Sequence, residues 1–301
     1  GGCHILCKKT AAGGMAIPEY ETMSHFTALI GNRDMEIVME ANRICGETGM
    51  DTISAASAIA CYMEINGINP GETDILQLLR EIASSSGEGG ILGQGSTNYA
   101  FLKGEPELSM SVKNLDLPAY DPRGAYGMAL AYATSTRGGC HLRAYPISHE
   151  ILRKPVATDR FTFSGKARII KIAEDLNAVI DSLTACRFIF FAATLEEYAK
   201  AVTAVTGVDY TGRDLLLAGE RAYYMDRIFN HINGFTSKQD DLPERFFFEG
   251  GTSGEGTEIP PLNRDDFITA RSRYYRVRGL TQEGAPTNEK IRELDIEWNL
   301  S

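Results

Sequence analysis

Apolar residues recur along this chain at the spacing of one helix face. In "DMEIVMEANRICGETG", Met35, Val38, Met39, Ile44 and Cys45 roughly follow the i, i+3, i+4 pattern. Gly49 reads as the stop of that helix, and Asp51 or Thr52 as the cap of the next. "ETDILQLLREIASSSG" repeats the arrangement, with Thr73 or Asp74 as cap and a Ser/Gly-rich exit. The same period continues through "YDPRGAYGMALAYATS", "GKARIIKIAEDLNAVIDSL", "LEEYAKAVTAVTG", "GRDLLLAGERAYYMDRIFNHING" and "LNRDDFITARSRYYRVRGL". Alternating runs of β-branched and aromatic residues are scarce. The pattern predicts an all-α, multihelical chain.

Turn residues and two prolines break the pattern in "RAYPISHEILRKPVATDRFTFSG". This predicts a seam between two helical subdomains, 1–147 and 148–301. "FFEGGTSGEGTEIPPL" reads as a Gly/Pro-rich surface loop.

Composition narrows the partners. With 301 residues, 43% of them hydrophobic and 23% charged, the chain can close a substantial core. A net charge of −10 argues against a nucleic-acid surface, which needs a basic footprint. No apolar run approaches bilayer length, so no membrane partner is expected. Six cysteines are too few for a disulfide scaffold of this size, and a reducing, cytoplasmic setting is expected.

Two of those cysteines raise a sharper question. In "GGCHILCKKT", Cys3 and Cys7 are separated by three residues. That spacing suits part of an iron–sulfur loop, since thiolates are soft anionic ligands for iron, but it equally suits two buried thiols. Spacing alone leaves both open.

Six strings in order carry a resemblance: "IPEYET", "ANRICGETGMDTIS", "YDPRGAYGMALAYATSTRGGCHLR", "DSLTACRF", "GERAYYMDRIFNHINGFTSKQDDLPERF" and "YYRVRGLTQEGAPTNEKIRELDI". Together they resemble the aldehyde ferredoxin oxidoreductase family across nearly the whole chain, from Cys3 to about Ile296. The resemblance covers the family's helical second and third domains. It implies a missing N-terminal domain as partner, a tungsten (or molybdenum) bis-pterin, a 4Fe–4S cluster, an aldehyde substrate and ferredoxin as electron acceptor. The chain alone is expected to fold without cofactor and to be inactive, its cofactor-facing surface exposed and locally disordered around Cys3–Thr10.

The resemblance also implies roles. Cys3, Cys7 and Cys186 match cluster ligands, a further cysteine being expected just ahead of Gly1. Thr184 and Ala185 stand where the family motif before Cys186 has Gly and Leu. Asp51 and Asp181 match pterin-binding aspartates; each has a plainer reading, Asp51 as a helix cap and Asp181 as a solvated helix end. Gly46 stands where the family's other aspartate would be. Glu21 and His141 match an acid/base pair beside the substrate, side-chain types whose protonation is tunable toward neutral pH. Glu19 is the alternative to Glu21, and a satisfied core histidine is the alternative for His141.

Cys45, Cys61 and Cys140 read as core thiols, Cys186 as a thiol at a buried helix end. His4, His25, His149 and His231 lack metal-ligand spacing. Glu40 resembles a glutamate that holds an interface iron in some members, but Arg43 replaces the histidine that would complete it. A homodimer without that iron remains compatible. Two further functional readings stand beside aldehyde oxidation: the tungsten subunit of another family member, such as an aromatic-ring reductase, and a cofactor-free helical scaffold.

Overall fold

A computed structural model describes residues 7–252 and 258–297. The chain folds into two compact units. The first runs to Tyr120 and takes in Pro243–Arg245; the second holds Asp121–Leu242 and resumes at Phe246.

The first unit contains α1 (Tyr20–Ser24), a π-helical turn (His25–Leu29), α2 (Met35–Thr48), α3 (Thr52–Ile65), α4 (Ile75–Ala83), α5 (Gly89–Leu92) and α6 (Ser96–Lys103). A two-residue ladder follows, β1 (Ser111–Val112) antiparallel to β2 (Leu115–Asp116). Caps fix the boundaries. Asp34, Asp51 and Asp74 each accept a backbone N–H of the first turn, and Gly49 ends α2 in the left-handed conformation. Helix α3 is apolar nearly all round, which is the signature of a central helix. Its Ala55, Ala56, Ala58, Ile59, Cys61 and Met63 are buried in one core with Phe26, Val38, Ile44, Leu79 and Tyr99.

The second unit contains α7 (Tyr126–Thr134), α8 (Ile147–Glu150), α9 (Lys166–Ser182), α10 (Leu195–Thr206), α11 (Gly212–Ile232), α12 (Arg245–Phe248), α13 (Arg264–Arg278) and α14 (Asn288–Glu293). Capping boxes at Thr194/Glu197 and Thr211/Asp214 start α10 and α11. Helices α9 and α11 pack closely because Gly219 of α11 faces the Asp175 carbonyl; a Cβ there would collide with that oxygen. The core joins Leu130, Ile170, Tyr223, Tyr224, Ala270, Tyr274 and Tyr275.

The helical reading holds, with additions. Four two-residue strands occur among the described residues, and one pair, Gly251–Thr252 with Glu258–Ile259, lies inside the stretch expected to be an irregular loop. The division into units falls after Tyr120, ahead of the 147/148 seam read from the sequence. The cause is α7: Gly127–Thr134 are all buried, and the helix packs on α9 and α13. Its N-terminus is tied within the same unit, Tyr126 N donating to Arg160 O at 2.8 Å and Gly127 N to Glu150 Oε1 at 2.7 Å. The prolines and turns at 146–155 therefore interrupt a unit that has already begun. Among the described residues no helix is long and apolar enough to cross a membrane.

Candidate functional site

In the first unit, the start of α1 meets the start of α3. The Thr22 and Thr52 hydroxyls are 2.8 Å apart, which brings Glu21 and Asp51 into one neighbourhood. The Glu21 side chain is only 16% exposed, against 61% for Glu19, whose carboxylate pairs with Lys8 at the surface. Burial thus separates two glutamates that sequence could not.

Glu21 Oε2 accepts the Ala119 N–H at 2.8 Å, and His25 Nδ1 lies 3.6 Å from the same oxygen. Burial pushes the Glu21 carboxyl above its ordinary range, the Ala119 N–H and His25 pull it back, and Asp51 adds to the rise. Such a carboxylate can exchange a proton closer to neutral pH than a solvated one.

Asp51 caps α3 through Ser54 N at 2.9 Å and is itself exposed. Asp51, Ser54, Gln94, Asn114 and Asp116 line one cavity of about 280 Å³. Asp116 accepts hydrogen bonds from Ser96 and Ser54, and burial pushes its carboxyl up to about 6.

In the second unit, the segment after α7 carries His141 and is pinned to two helices. Asn230 of α11 donates to Thr136 O at 2.7 Å, and Asn177 of α9 donates to Arg143 O at 2.9 Å. Asp226 accepts from both Thr136 Oγ1 and Arg143 Nη2, each at 3.1 Å. His141 is half-buried, its ring centroid 6.1 Å from that of Tyr145.

Asp181 sits in the last turn of α9, where the helix dipole disfavours a carboxylate. Arg187 at 3.3 Å and Arg143 at 3.6 Å offset that cost. Arg143 Nε and Arg187 Nη1 are buried with no hydrogen-bond partner. Two donors lacking acceptors beside a half-exposed acceptor suit a polar heterocycle that has both kinds of group, as a pterin does. The donor set here fits the implied cofactor.

The thiols sort by exposure. Cys45, Cys61 and Cys140 are buried; burial pushes Cys45 and Cys61 up to about 11, as expected of inert core thiols. Cys7 and Cys186 are exposed. The buried-thiol reading therefore fails for Cys7, and the buried helix end expected for Cys186 is instead the exposed N-cap of a short 3₁₀ turn, Arg187–Phe191. Cys3 lies outside the described residues. Thr184, in the family's glycine position, takes φ +53°, the left-handed region that glycine favours. Among the described residues no three His, Cys, Asp or Glu side chains gather as a metal site.

A family model described as aldehyde ferredoxin oxidoreductase, domains 2 and 3, matches residues 1–296. The chain belongs to this family. Tungsten-containing aldehyde ferredoxin oxidoreductases from Pyrococcus furiosus and Thermococcus kodakarensis are 38% and 36% identical to it over 98% of the chain. In each case the match covers 51% of the relative, so the chain spans about half the length of the curated relatives it matches. A WOR-like subunit of an aliphatic sulfonate oxidoreductase from Pyrococcus furiosus is 25% identical over 98% of the chain and 49% of its own length. In fold, the chain resembles the active-site complex BamBC of benzoyl coenzyme A reductase at a TM-score of 0.71. That match has 16% identity and covers 96% of this chain and 50% of the other.

Sequence reasoning missed Arg143, Arg187, Asp226 and His25. Arg143 and Arg187 stand in the quoted strings "GGCHLR" and "DSLTACRF", so their nearness to His141 and Cys186 was available. Asp226 and His25 had no local signal.

Proposed function

We propose that this chain is the helical C-terminal part of an aldehyde-oxidising tungsten enzyme. The observation that carries this reading is the family match across residues 1–296, with 38% identity to a tungsten-containing aldehyde ferredoxin oxidoreductase. The reaction would convert an aldehyde and water to a carboxylic acid, two protons and two electrons. When bound, the tungsten bis-pterin would supply two-electron redox chemistry, and a 4Fe–4S cluster would supply one-electron transfer toward ferredoxin.

The chain's own residues do the rest. Asp51 and Asp181 accept hydrogen bonds from pterin N–H groups, and Arg143 and Arg187 donate to its acceptors. Cys3, Cys7 and Cys186 each serve as a thiolate ligand of the cluster. Glu21, with Oε2 fixed by the Ala119 N–H, takes a proton from the attacking water or the aldehyde hydrate. His141 donates a hydrogen bond to the aldehyde oxygen and so polarises the carbonyl. Higher identity to the aldehyde enzymes than to the sulfonate enzyme favours an aldehyde as the substrate class.

The test is anaerobic purification of the complete enzyme, with tungsten and iron quantified and aldehyde-dependent reduction of a viologen dye measured. Tungsten, about four irons and turnover are expected, and Cys186→Ser should remove most of the iron. Bound metals without aldehyde turnover would move the protein to another reaction of the family. A protein that binds neither metal would be a scaffold.

A further inference from the structure

The π-helical turn that follows α1 begins at His25, and the sequence gives no warning of it. Such wide turns are rare and occur often at functional sites. The His25 side chain is 3% exposed, too deeply placed to meet substrate or solvent. Its two ring nitrogens reach two different segments. Nδ1 lies 2.7 Å from Glu21 O, and Nε2 lies 3.2 Å from Leu117 O. Two residues beyond that second carbonyl, the Ala119 N–H donates to Glu21 Oε2. The Tyr20 and Tyr120 rings, 5.5 Å apart, flank the same junction.

We propose that His25 is a positioning residue for Glu21, its ring tying the turn that carries Glu21 to the Leu117–Ala119 segment that orients the Glu21 carboxylate. The inference rests on the reading of Glu21 as the proton acceptor. A plainer role is available: a buried histidine that closes a loop. Here the ring contacts the backbone of the glutamate itself on one side and the segment feeding that glutamate's hydrogen bond on the other.

The ring also acts through charge. With Nδ1 3.6 Å from Oε2, His25 favours the ionised Glu21. Groups that act on Glu21 include His25 from its own turn, Asp51 from the start of α3, and the Ala119 N–H from beyond β2. Those facing His25 are Glu21 and the buried Asp116. His25 is the one of these side chains that lowers the Glu21 carboxyl. It opposes both burial and Asp51, which push Glu21 toward its protonated form.

The experiment uses the complete, metal-loaded enzyme and three variants: Glu21→Gln, His25→Ala and His25→Asn. Each is assayed for aldehyde-dependent dye reduction across pH, with tungsten content measured. His25→Ala should lower kcat by about 10–100-fold with KM changed by less than about 3-fold, because the carboxylate is misplaced while binding survives. The acid limb of the kcat profile should move to higher pH. His25→Asn keeps one donor at the turn, so it should restore most of kcat at high pH while leaving the acid limb displaced. Normal profiles in both His25 variants, beside an inactive Glu21→Gln, would overturn this inference alone. So would activity that falls only in step with tungsten, which is what a purely structural residue produces. A fully active Glu21→Gln would overturn the reading of Glu21, and this inference with it.

Discussion

The two units bury charge in opposite ways. In the second, buried ions come in matched sets. Arg278, fully buried, donates to Glu174 Oε2 at 2.6 Å, pairs with Asp175 and lies 3.7 Å from the centroid of the Tyr223 ring. Tyr274 donates to the same glutamate at 2.7 Å. Arg227 pairs with Asp240, which also accepts from Tyr275, and Lys166 meets Glu150 at 2.7 Å with both side chains fully buried. In the first unit the buried carboxylate Asp116 is held by hydroxyls, and Glu21 by a backbone N–H beside a histidine. Matched pairs lock α9, α11 and α13 together. Carboxylates held by weak donors keep protons that can move, at some cost in stability. Buried charge ties helices together in the second unit, whereas in the first it leaves carboxyls raised above their ordinary range.

Breaking a matched set should give the largest loss. Arg278→Met leaves Glu174 buried without its cation and Asp175 with Lys171 alone, and should destabilise the chain by about 3–5 kcal/mol. Adding Glu174→Gln and Asp175→Asn should recover part of that loss, as urea midpoints of the single and triple variants would show. Equal loss in both would mean that packing, not charge, holds those helices.

The converse change in the first unit should stabilise. The folded carboxyl of Asp116 is raised to about 6 from an ordinary 3.8, so the folded state keeps a proton that the unfolded chain releases. Its contribution is therefore complete below about pH 4 and is lost as pH rises through about 6. Asp116→Asn does not titrate, so it should match the parent near pH 4. At pH 7 it should exceed the parent by roughly 2–3 kcal/mol, because each tenfold difference in proton affinity between the folded and unfolded chain is worth about 1.4 kcal/mol. Urea unfolding at the two pH values checks this. A smaller effect, about 1 kcal/mol of stabilisation, is expected for Thr184→Gly, which relieves a β-branched residue held at positive φ. A lower melting temperature for that variant would mean that the threonine side chain makes up for its backbone.

Much of this was legible beforehand, for identifiable reasons. Asp51 and Asp74 were readable as caps because a short polar side chain before an apolar period has one favoured use. Helices α9, α10, α11 and α13 followed from period alone. The compact units divide after Tyr120 and not at 147/148, because α7 is apolar all round and gives no sign in sequence of which unit it joins. The exposure of Cys186 was misjudged because a thiol carries no sequence mark of its surroundings. Glu21 could not be separated from Glu19, since burial depends on the Leu117–Ala119 segment nearly a hundred residues away. The pairing of His25 with that segment was invisible for the same reason.

The central claim is that Glu21 takes a proton and His141 polarises the aldehyde oxygen, and that neither merely supports the fold. Glu21→Gln and His141→Ala in the complete enzyme, each assayed for kcat with aldehyde and for bound tungsten, test it most directly. Both should lower kcat by roughly 10²–10⁴-fold while tungsten stays near the parent level, the range expected for a positioned proton-transfer group. Activity that declines only in proportion to lost tungsten, or that survives either change, would contradict the account.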